Sequence, residues 1–309
     1  MSSAPWYARV LPSGPPKPPP GCFVQVAGRA VHVVLDGPSE APPVLLEPGL
    51  GGAWLGWDPV VPLLAADCRV IRADRPGLGC SQPEPGVPTL GSRADWVVAL
   101  LDALDVKRPV VLCGHSLGGL YAEGFARLHP GRTAGLVLVE ASAENVSGAP
   151  LRAPRTRVRA ARGVGTLFRW AGLSQVVAPE LRRLGVRTQS LRGSDQADRG
   201  DAYRSAYGSG HCLTEALVER VLVRDLLAEL DVLRERRRLS PLPVRVLSSP
   251  GDEPRGLRAL TDQSPLAEHR VVTGTRHLMP VDRPDVIAAA VREVSARADA
   301  GRPPQEGWP

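Results

Sequence analysis

The stretch from Val110 to Tyr121, VVLCGHSLGGLY, constrains the fold of this chain more than any other. An apolar run rich in β-branched residues meets the sequence Gly-His-Ser-Leu-Gly, and a helical pattern of apolar side chains follows at once. This order predicts a strand, a sharp turn and a helix. The glycines at 114 and 118 flank Ser116 and let the strand and the helix approach closely, because glycine has no Cβ. We therefore expect Ser116 to hold a strained backbone conformation with its hydroxyl exposed.

Strand and helix patterns alternate on both sides of this stretch. The predicted strands are a hairpin at 23–26 and 31–35, followed by apolar runs at 44–46, 69–72, 136–139, 244–247 and about 269–272. Helical patterns separate them, the first around 57–66 and the last from about 284. His32 falls on the polar face of the hairpin. This alternation predicts an α/β fold with a doubly wound, mostly parallel sheet covered on both faces.

The alternation stops between residues 141 and 240, where arginine-rich helical patterns occur without a strand. We interpret this segment as a helical cap inserted into a core of residues 22–140 and 241–297. Residues 1–21 form a proline-rich leader and residues 298–309 a polar tail. The arginines at 152, 155, 157, 159 and 162 fit a solvated helix face better than a site for an anionic substrate.

The net charge of +6 comes almost wholly from arginine, because Lys17 and Lys107 are the only lysines. The basic residues are dispersed, no nucleic-acid module is recognisable, and aromatic residues make up only 4% of the chain. A protein that tracks phosphates needs clustered cations, and one that binds single strands needs stacking aromatics. The sequence therefore argues against nucleic acid as a partner.

Nothing in the sequence indicates insertion into a membrane or a redox-active compartment. No run of eighteen apolar residues occurs, and the first residues do not resemble a signal peptide, so we expect a cytoplasmic protein without stable membrane insertion. The five cysteines are odd in number and scattered, without the spacing of a zinc site or a disulfide framework. We expect no metal and no organic cofactor.

Ser116 requires a base, since a serine hydroxyl is a poor nucleophile at neutral pH, and histidine is the side chain suited to that task. Of six histidines, only His277 follows a predicted strand at the carboxyl edge of the sheet and lies in a glycine-containing loop. A histidine base in turn needs a carboxylate to orient it. Asp252 and Glu140 both follow strands, and both are candidates.

Three motifs resemble those of the α/β-hydrolase family, and the resemblance spans nearly all of residues 22–297. GHSLGG at Gly114 to Gly119 resembles the nucleophile elbow of the family. ADRPGLGCS at Ala73 to Ser81 resembles the turn after its strand, and RHLMPVDRPDVI at Arg276 to Ile287 resembles its histidine loop and last helix. One departure is Pro48-Gly49, where the family commonly has His-Gly.

The resemblance implies a triad of Ser116, Asp252 and His277, with Glu140 as the alternative acid. Asp252 is favoured because it follows its strand by the short interval the family uses and precedes His277 in the usual order. By the same likeness, the backbone N–H groups of Leu50 and Leu117 would form the oxyanion hole.

These residues predict a serine hydrolase that cleaves a small carboxylic ester or related acyl substrate through an acyl-enzyme on Ser116. One alternative is a lyase or a cofactor-independent oxygenase on the same fold, and another is a non-catalytic ligand receptor. A serine at the elbow argues against the alkyl-enzyme chemistry of dehalogenases and epoxide hydrolases, which use aspartate there. The substrate chain length and the oligomeric state stay open at this point.

Overall fold

A computed structural model describes residues 19–141, 151–193, 201–251, 260 and 264–300. The strands are β1 Cys22–Val26, β2 Arg29–Asp36, β3 Pro43–Glu47, β4 Arg69–Ala73, β5 Val110–His115, β6 Thr133–Val139, β7 Val244–Ser248 and β8 Ala267–Val271. The α-helices are α1 Val61–Leu64, α2 Leu90–Ala103, α3 Leu117–Leu128, α4 Pro154–Trp170, α5 Ser174–Gln189, α6 Asp201–Tyr207, α7 Cys212–Arg236, α8 Met279–Asp282 and α9 Pro284–Ala300.

The eight strands of the described residues form one sheet in the order β1-β2-β4-β3-β5-β6-β7-β8. β1 pairs with β2 and β2 with β4 in antiparallel fashion, and every other neighbouring pair is parallel. The predicted α/β fold with a mostly parallel, doubly wound sheet is therefore confirmed. The parallel arrangement brings the carboxyl ends of β3 to β8 to the same edge of the sheet.

Helices cover both faces of the sheet, which explains why the central strands are almost uninterrupted apolar runs. On one face, Leu100 of α2 and Phe125 of α3 pack against Leu112 of β5. On the other face, Leu64 of α1 and Ile287 of α9 belong to the core beneath β3 and β5.

Three local expectations need correction. The helix expected at 57–66 is a 3₁₀ turn at Trp54–Trp57 followed by the four-residue α1, because Pro59 and Pro62 lack the N–H groups that a longer helix would use. The last helix continues to Ala300 instead of ending at 297. His32 is fully buried, since it pairs with Asp74 below the hairpin.

The helices α4, α5, α6 and α7 lie between β6 and β7, and we call them the cap helices. The described residues between these two strands contain no strand. The longest of the four, α7, packs against both α4 and the elbow helix α3. Within the described ranges, no helix is long and apolar enough to cross a membrane.

Candidate active site

Ser116 lies at the sharp turn between β5 and α3, with φ of 52° and ψ of −122°. A Cβ on Gly114 would lie 2.4 Å from the carbonyl oxygen of Gly118, and one on Gly118 would lie 2.3 Å from that of Glu47. Only glycine fits at both positions, because backbone cannot move aside as a flexible side chain can. The backbone N–H of Ser116 donates to the carbonyl of Val139 at 2.9 Å. The turn is thus clamped against the next strand.

His277 lies beside this serine, with Nε2 3.1 Å from Ser116 Oγ. The loop that carries His277 follows β8. It is fixed by Asp282, which accepts a hydrogen bond from the backbone N–H of Arg276 at 3.0 Å. The structure therefore brings Ser116 and His277 to hydrogen-bonding distance across 161 positions of sequence. A hydroxyl that donates to an unprotonated ring nitrogen is the arrangement that base-assisted nucleophilic attack requires.

Glu140 follows β6 directly and lies on the other side of the imidazole. Its Oε2 is 3.7 Å from His277 Nδ1, which is an ion-pair distance rather than a hydrogen-bond distance, and the residue is only 2% exposed. The backbone N–H and the hydroxyl of Ser249 both donate to this carboxylate. Its own backbone lies in the left-handed region with φ of 49°. Asp252, the acid favoured from sequence, lies outside the described residues.

His115, adjacent to Ser116, does not compete for the role of base. Its Nε2 lies 2.7 Å from the carbonyl oxygen of His277, and because a carbonyl only accepts, that nitrogen carries the proton. Burial and then the neighbouring charge of His277 lower the pKa of His115 to about 3. His115 is therefore neutral at physiological pH, and it anchors the loop that carries His277.

The glycine loop, residues 49–52, is held by an arginine that the sequence analysis did not single out. Arg75 donates to the carbonyls of Pro48 at 2.6 Å and Gly49 at 2.8 Å. Glu219 of α7 accepts from the N–H of Gly51 at 2.8 Å and from Arg75 Nε at 2.8 Å. Arg75 lies within the ADRPGLGCS motif, which the sequence analysis had noted. Glu219 lies on α7, and nothing in the helical pattern of that segment distinguishes it from its neighbours.

The two residues expected to supply the oxyanion hole belong to different segments. Leu50 belongs to the glycine loop and lines the cavity, and Leu117 is the first residue of α3. The start of α3 packs closely on the loop, since a Cβ at Gly118 would also lie 2.6 Å from the carbonyl oxygen of Pro48.

A cavity of about 600 Å³ opens above these residues. Its floor includes Ser116, His277 and the glycine loop, and its walls come from α5 and α7. Apolar side chains form most of the lining, as is typical of pockets for small organic molecules.

Comparison with known proteins identifies the family of the chain. The model of the α/β hydrolase family matches residues 44–290. This chain belongs to the α/β hydrolase family.

Three curated relatives of this α/β hydrolase match over about a third of the chain. A proposed carbamate hydrolase from Variovorax paradoxus is 40% identical over 114 residues, which cover 36% of the chain and 42% of the relative. The acetyltransferase component of an acetoin-cleaving system from Pseudomonas putida is 37% identical over 115 residues, 37% of the chain and 31% of the relative. A haloalkane dehalogenase from Sphingobium indicum is 30% identical over 123 residues, which cover 38% of the chain and 41% of the relative. Each match spans less than half of the relative.

Solved structures resemble the α/β hydrolase over nearly its whole length. An enol-lactonase from Burkholderia xenovorans has a TM-score of 0.65 at 22% identity and covers 89% of this chain and 99% of its own. An esterase from Thermogutta terrifontis, solved with malate bound, has a TM-score of 0.63 at 23% identity. The match covers 89% of this chain and 98% of the esterase. At these identities the likeness concerns the fold alone.

One cluster of metal-ligand residue types lies away from the serine. The donor atoms of His32, Asp74 and Cys80 all lie within 4.8 Å of one another. His32 Nδ1 is 2.9 Å from an Asp74 oxygen, and its Nε2 is 2.7 Å from the carbonyl oxygen of Pro20. Burial alone would lower the pKa of His32, but the hydrogen bond and charge of Asp74 outweigh it and raise that pKa. Asp74 also accepts from the backbone N–H groups of Trp54 at 2.8 Å and of Cys80 at 3.0 Å, so in this α/β hydrolase the carboxylate joins β2 to the two segments that carry these residues.

Proposed function

We propose that this protein is a serine hydrolase that cleaves a carboxylic ester or a related acyl bond through an acyl-enzyme on Ser116. The observation that carries the proposal is the 3.1 Å approach of His277 Nε2 to Ser116 Oγ at a strained turn that opens into a cavity. Family membership supports hydrolysis, and two neighbours in fold are named as an esterase and an enol-lactonase.

In the first half of the reaction, Ser116 Oγ attacks the carbonyl carbon while its proton passes to His277 Nε2. The bond from that carbon to the alcohol oxygen then breaks, and His277 returns the proton to the departing alcohol. In the second half, His277 takes a proton from water as the water attacks the acyl carbon, and Ser116 leaves with that proton. One water is consumed, and one acid and one alcohol are released.

The proposed oxyanion hole consists of the backbone N–H groups of Leu50 and Leu117. It is supported by the position of Leu117 at the N-terminus of α3, where the N–H groups are free of helical partners and the helix dipole favours negative charge. The loop that carries Leu50 is fixed by Arg75 and Glu219. Preorganised donors of this kind are typically worth about 10²–10³ in rate each.

We propose Glu140 as the acid that orients His277, with Asp252 as the alternative. Glu140 is supported by its burial and by its position 3.7 Å from Nδ1 of the imidazole. If Nε2 accepts the serine proton, Nδ1 carries the ring proton in the resting state and points it toward a carboxylate. Catalytic contacts of this kind often shorten once substrate is bound.

Labelling with a fluorophosphonate probe tests the proposal. The intact protein should form one covalent adduct, peptide mapping should place it on Ser116, and Ser116→Ala should lose both the adduct and the turnover of p-nitrophenyl esters. Heat-unfolded protein serves as the control for nonspecific labelling. Label on a different residue, or undiminished turnover in a folded Ser116→Ala variant, would rule the mechanism out.

A further inference from the structure

The cap helices α4 and α5 carry a group of exposed apolar side chains. Trp170 is 82% exposed and Leu167 is 67% exposed, the two highest values among the large apolar residues that the structure describes. We call this group the apolar patch, and its members are Val164, Leu167, Trp170, Leu173, Val176, Leu181 and Leu184. Single exposed apolar residues are ordinary on a protein surface, whereas a group of them marks a surface that binds something.

The apolar patch lies on the exposed faces of two consecutive helices. Val164, Leu167 and Trp170 are spaced three apart on α4, so they share one face of that helix. The opposite face of α4 is buried, and a Cβ on Gly165 there would lie 2.8 Å from the Cα of Thr214 on α7. Because only residues 171–173 separate α4 from α5, the patch continues from one helix to the next.

The apolar patch reaches the rim of the cavity above Ser116. Leu181 belongs to the patch, since it is 54% exposed, and it also lines the cavity. Leu50 of the glycine loop lines the same cavity and is partly exposed. A surface that contacts the patch would therefore lie next to the opening of the cavity.

The segment that carries the patch is strongly basic. Residues 151–193 contain ten arginines and a single acidic residue, Glu180, which pairs with Arg183. Arg155 and Arg159 lie on the first turns of α4, ahead of the patch, and Arg187 lies on the last turn of α5. These three side chains are exposed, and within the described ranges none of them makes a hydrogen bond or an ion pair. Positive charge therefore flanks the patch at both ends.

The flanking charges limit what can cover the apolar patch. A second copy of the chain bound patch to patch would bring the same arginines together, and like charges at an interface repel each other. An anionic lipid surface complements both features, because its acyl chains accept apolar side chains and its phosphates accept hydrogen bonds from guanidinium groups. Tryptophan is enriched at the level of lipid headgroups, where its ring and its N–H group each find a suitable environment. The exposure of Trp170 between basic segments fits such a surface.

We propose that the apolar patch binds reversibly to the surface of an anionic lipid bilayer. The patch side chains enter the boundary between headgroups and acyl chains, and Arg155, Arg159 and Arg187 bind lipid phosphates. This contact is peripheral and needs no helix that spans the membrane. It goes beyond the proposed hydrolase activity, because adsorption to lipid requires no reaction at Ser116, and it holds the opening of the cavity at the membrane.

Flotation with lipid vesicles tests the proposal on the full chain. One set of vesicles contains phosphatidylcholine alone, and the other contains about 30% phosphatidylglycerol. At low salt, the partition coefficient on the anionic vesicles should be at least about tenfold higher than on phosphatidylcholine. High salt should reduce that difference. Equal partition into both sets, or no partition into either at low salt, would overturn the proposal.

Substitutions in the patch test its apolar side chains. The double variant Leu167→Gln with Trp170→Gln should lower the partition coefficient on anionic vesicles at least about tenfold. The matched control is Leu266→Gln with Val271→Gln, since both are exposed apolar residues outside the cap, at β8, and it should stay within about twofold of the parent. Circular dichroism verifies that both double variants fold. An equal fall in the control, or no fall in the patch variant, would contradict the assignment.

Removal of charge tests the flanking arginines. Arg155→Gln with Arg159→Gln should lower partition into anionic vesicles about tenfold and leave partition into phosphatidylcholine unchanged. Arg236→Gln with Arg238→Gln removes the same charge at the far end of α7 and should change partition by about twofold or less. An equal effect of the two double variants would assign binding to the net charge of the chain and would overturn the proposed site.

Tryptophan fluorescence locates the contact. Trp54, Trp57 and Trp96 are buried, so Trp170 is the exposed tryptophan among the described residues. Vesicles with brominated acyl chains should quench the fluorescence of the parent, whereas Trp170→Phe should still bind but lose most of the quenching. Unchanged quenching in Trp170→Phe would place the contact elsewhere and overturn the proposal.

Sedimentation in the analytical ultracentrifuge tests the competing occupant. The parent should sediment as the same species as the double variant Leu167→Gln with Trp170→Gln. If the parent instead self-associates, the double variant does not, and the parent does not bind vesicles, the apolar patch is an interface between two copies of the chain and the lipid proposal is wrong. None of these measurements depends on turnover, so failure of the serine-hydrolase proposal would leave their outcome intact.

Discussion

Arg75 and Glu219 form a buried ion pair, with Nε 2.8 Å from Oε1, that joins the cap helix α7 to the glycine loop beside Ser116. Burial alone would lower the pKa of Arg75, but the charge and hydrogen bond of Glu219 outweigh it and raise that pKa. Arg75 Nη1 reaches the carbonyl of Pro48, and Nη2 reaches the carbonyl of Gly49 and the second oxygen of Glu219, so Arg75 links α7 directly to the backbone at the start of the glycine loop. The geometry of the proposed oxyanion hole therefore depends on a residue of the cap.

Glu219→Gln should lower kcat about 10- to 100-fold, because it removes the charge that holds Arg75 and loosens the Gly51 contact. Steady-state kinetics with a p-nitrophenyl ester measure kcat and KM separately, and KM should change less than kcat. Glu229→Gln is the control, since Glu229 lies on the same helix and accepts from the N–H of Leu90 at 2.7 Å, away from the glycine loop. An equal fall in both variants would mean that the effect reflects general loosening of the cap.

Glu140→Gln should reduce kcat on the order of 10⁴-fold with little change in fold, because an amide orients the imidazole wrongly and does not stabilise its charged form. Asp252→Asn should retain most of the turnover. Steady-state kinetics on both purified variants, with circular dichroism to verify folding, distinguish the two acids. The reverse order of activities would assign the role to Asp252.

Gly118→Ala should destabilise the protein by at least about 2 kcal/mol, because the new methyl group would meet backbone carbonyls of β3 and the following loop. Urea unfolding followed by circular dichroism measures the change. Gly131→Ala is the control near the other end of the same helix, where an added Cβ meets nothing within 4 Å. If the two variants unfold at the same urea concentration, the close approach of α3 to β3 is not as described.

The neutral His115 should make the protein less stable in acid. The unfolded chain binds a proton at this histidine near pH 6.5, whereas the folded protein resists it down to about pH 3. The contribution of His115 to the free energy of unfolding is therefore complete above pH 6.5 and is lost as the pH falls through that window, by at most about 1.4 kcal/mol per pH unit.

His115→Gln isolates this effect, because the glutamine keeps an N–H for the carbonyl of His277 and does not titrate. Urea unfolding between pH 7 and pH 4 should give a shallower loss of stability in the variant than in the parent. Parallel curves for the two proteins would show that His115 does not resist protonation in the folded state.

The sheet, the elbow and the pairing of Ser116 with His277 could all be predicted from the amino-acid sequence. Strand and helix periodicities are local, and the glycines at 114 and 118 have a local steric reason, so their pattern reveals the turn that presents Ser116. His277 was found by its place after a strand, because parallel strands end at one edge of the sheet. Pro59 and Pro62 were also visible in the sequence, yet the periodicity there still suggested a helix longer than the one formed.

The contacts between side chains of the site depend on tertiary packing and could not be predicted in this way. Glu140 follows β6, and its carboxylate lies 3.7 Å from His277 Nδ1 while its own backbone is left-handed, a contact that strand periodicity cannot predict. Glu219 and Arg220 are neighbours on α7, but one is buried against Arg75 and the other faces the cavity. The helical pattern shows that α7 has distinct faces, but it does not indicate which residues each face contacts. Those contacts depend on how the helix packs across the edge of the sheet, as for Arg75 and Glu219, which are 144 positions apart in the sequence.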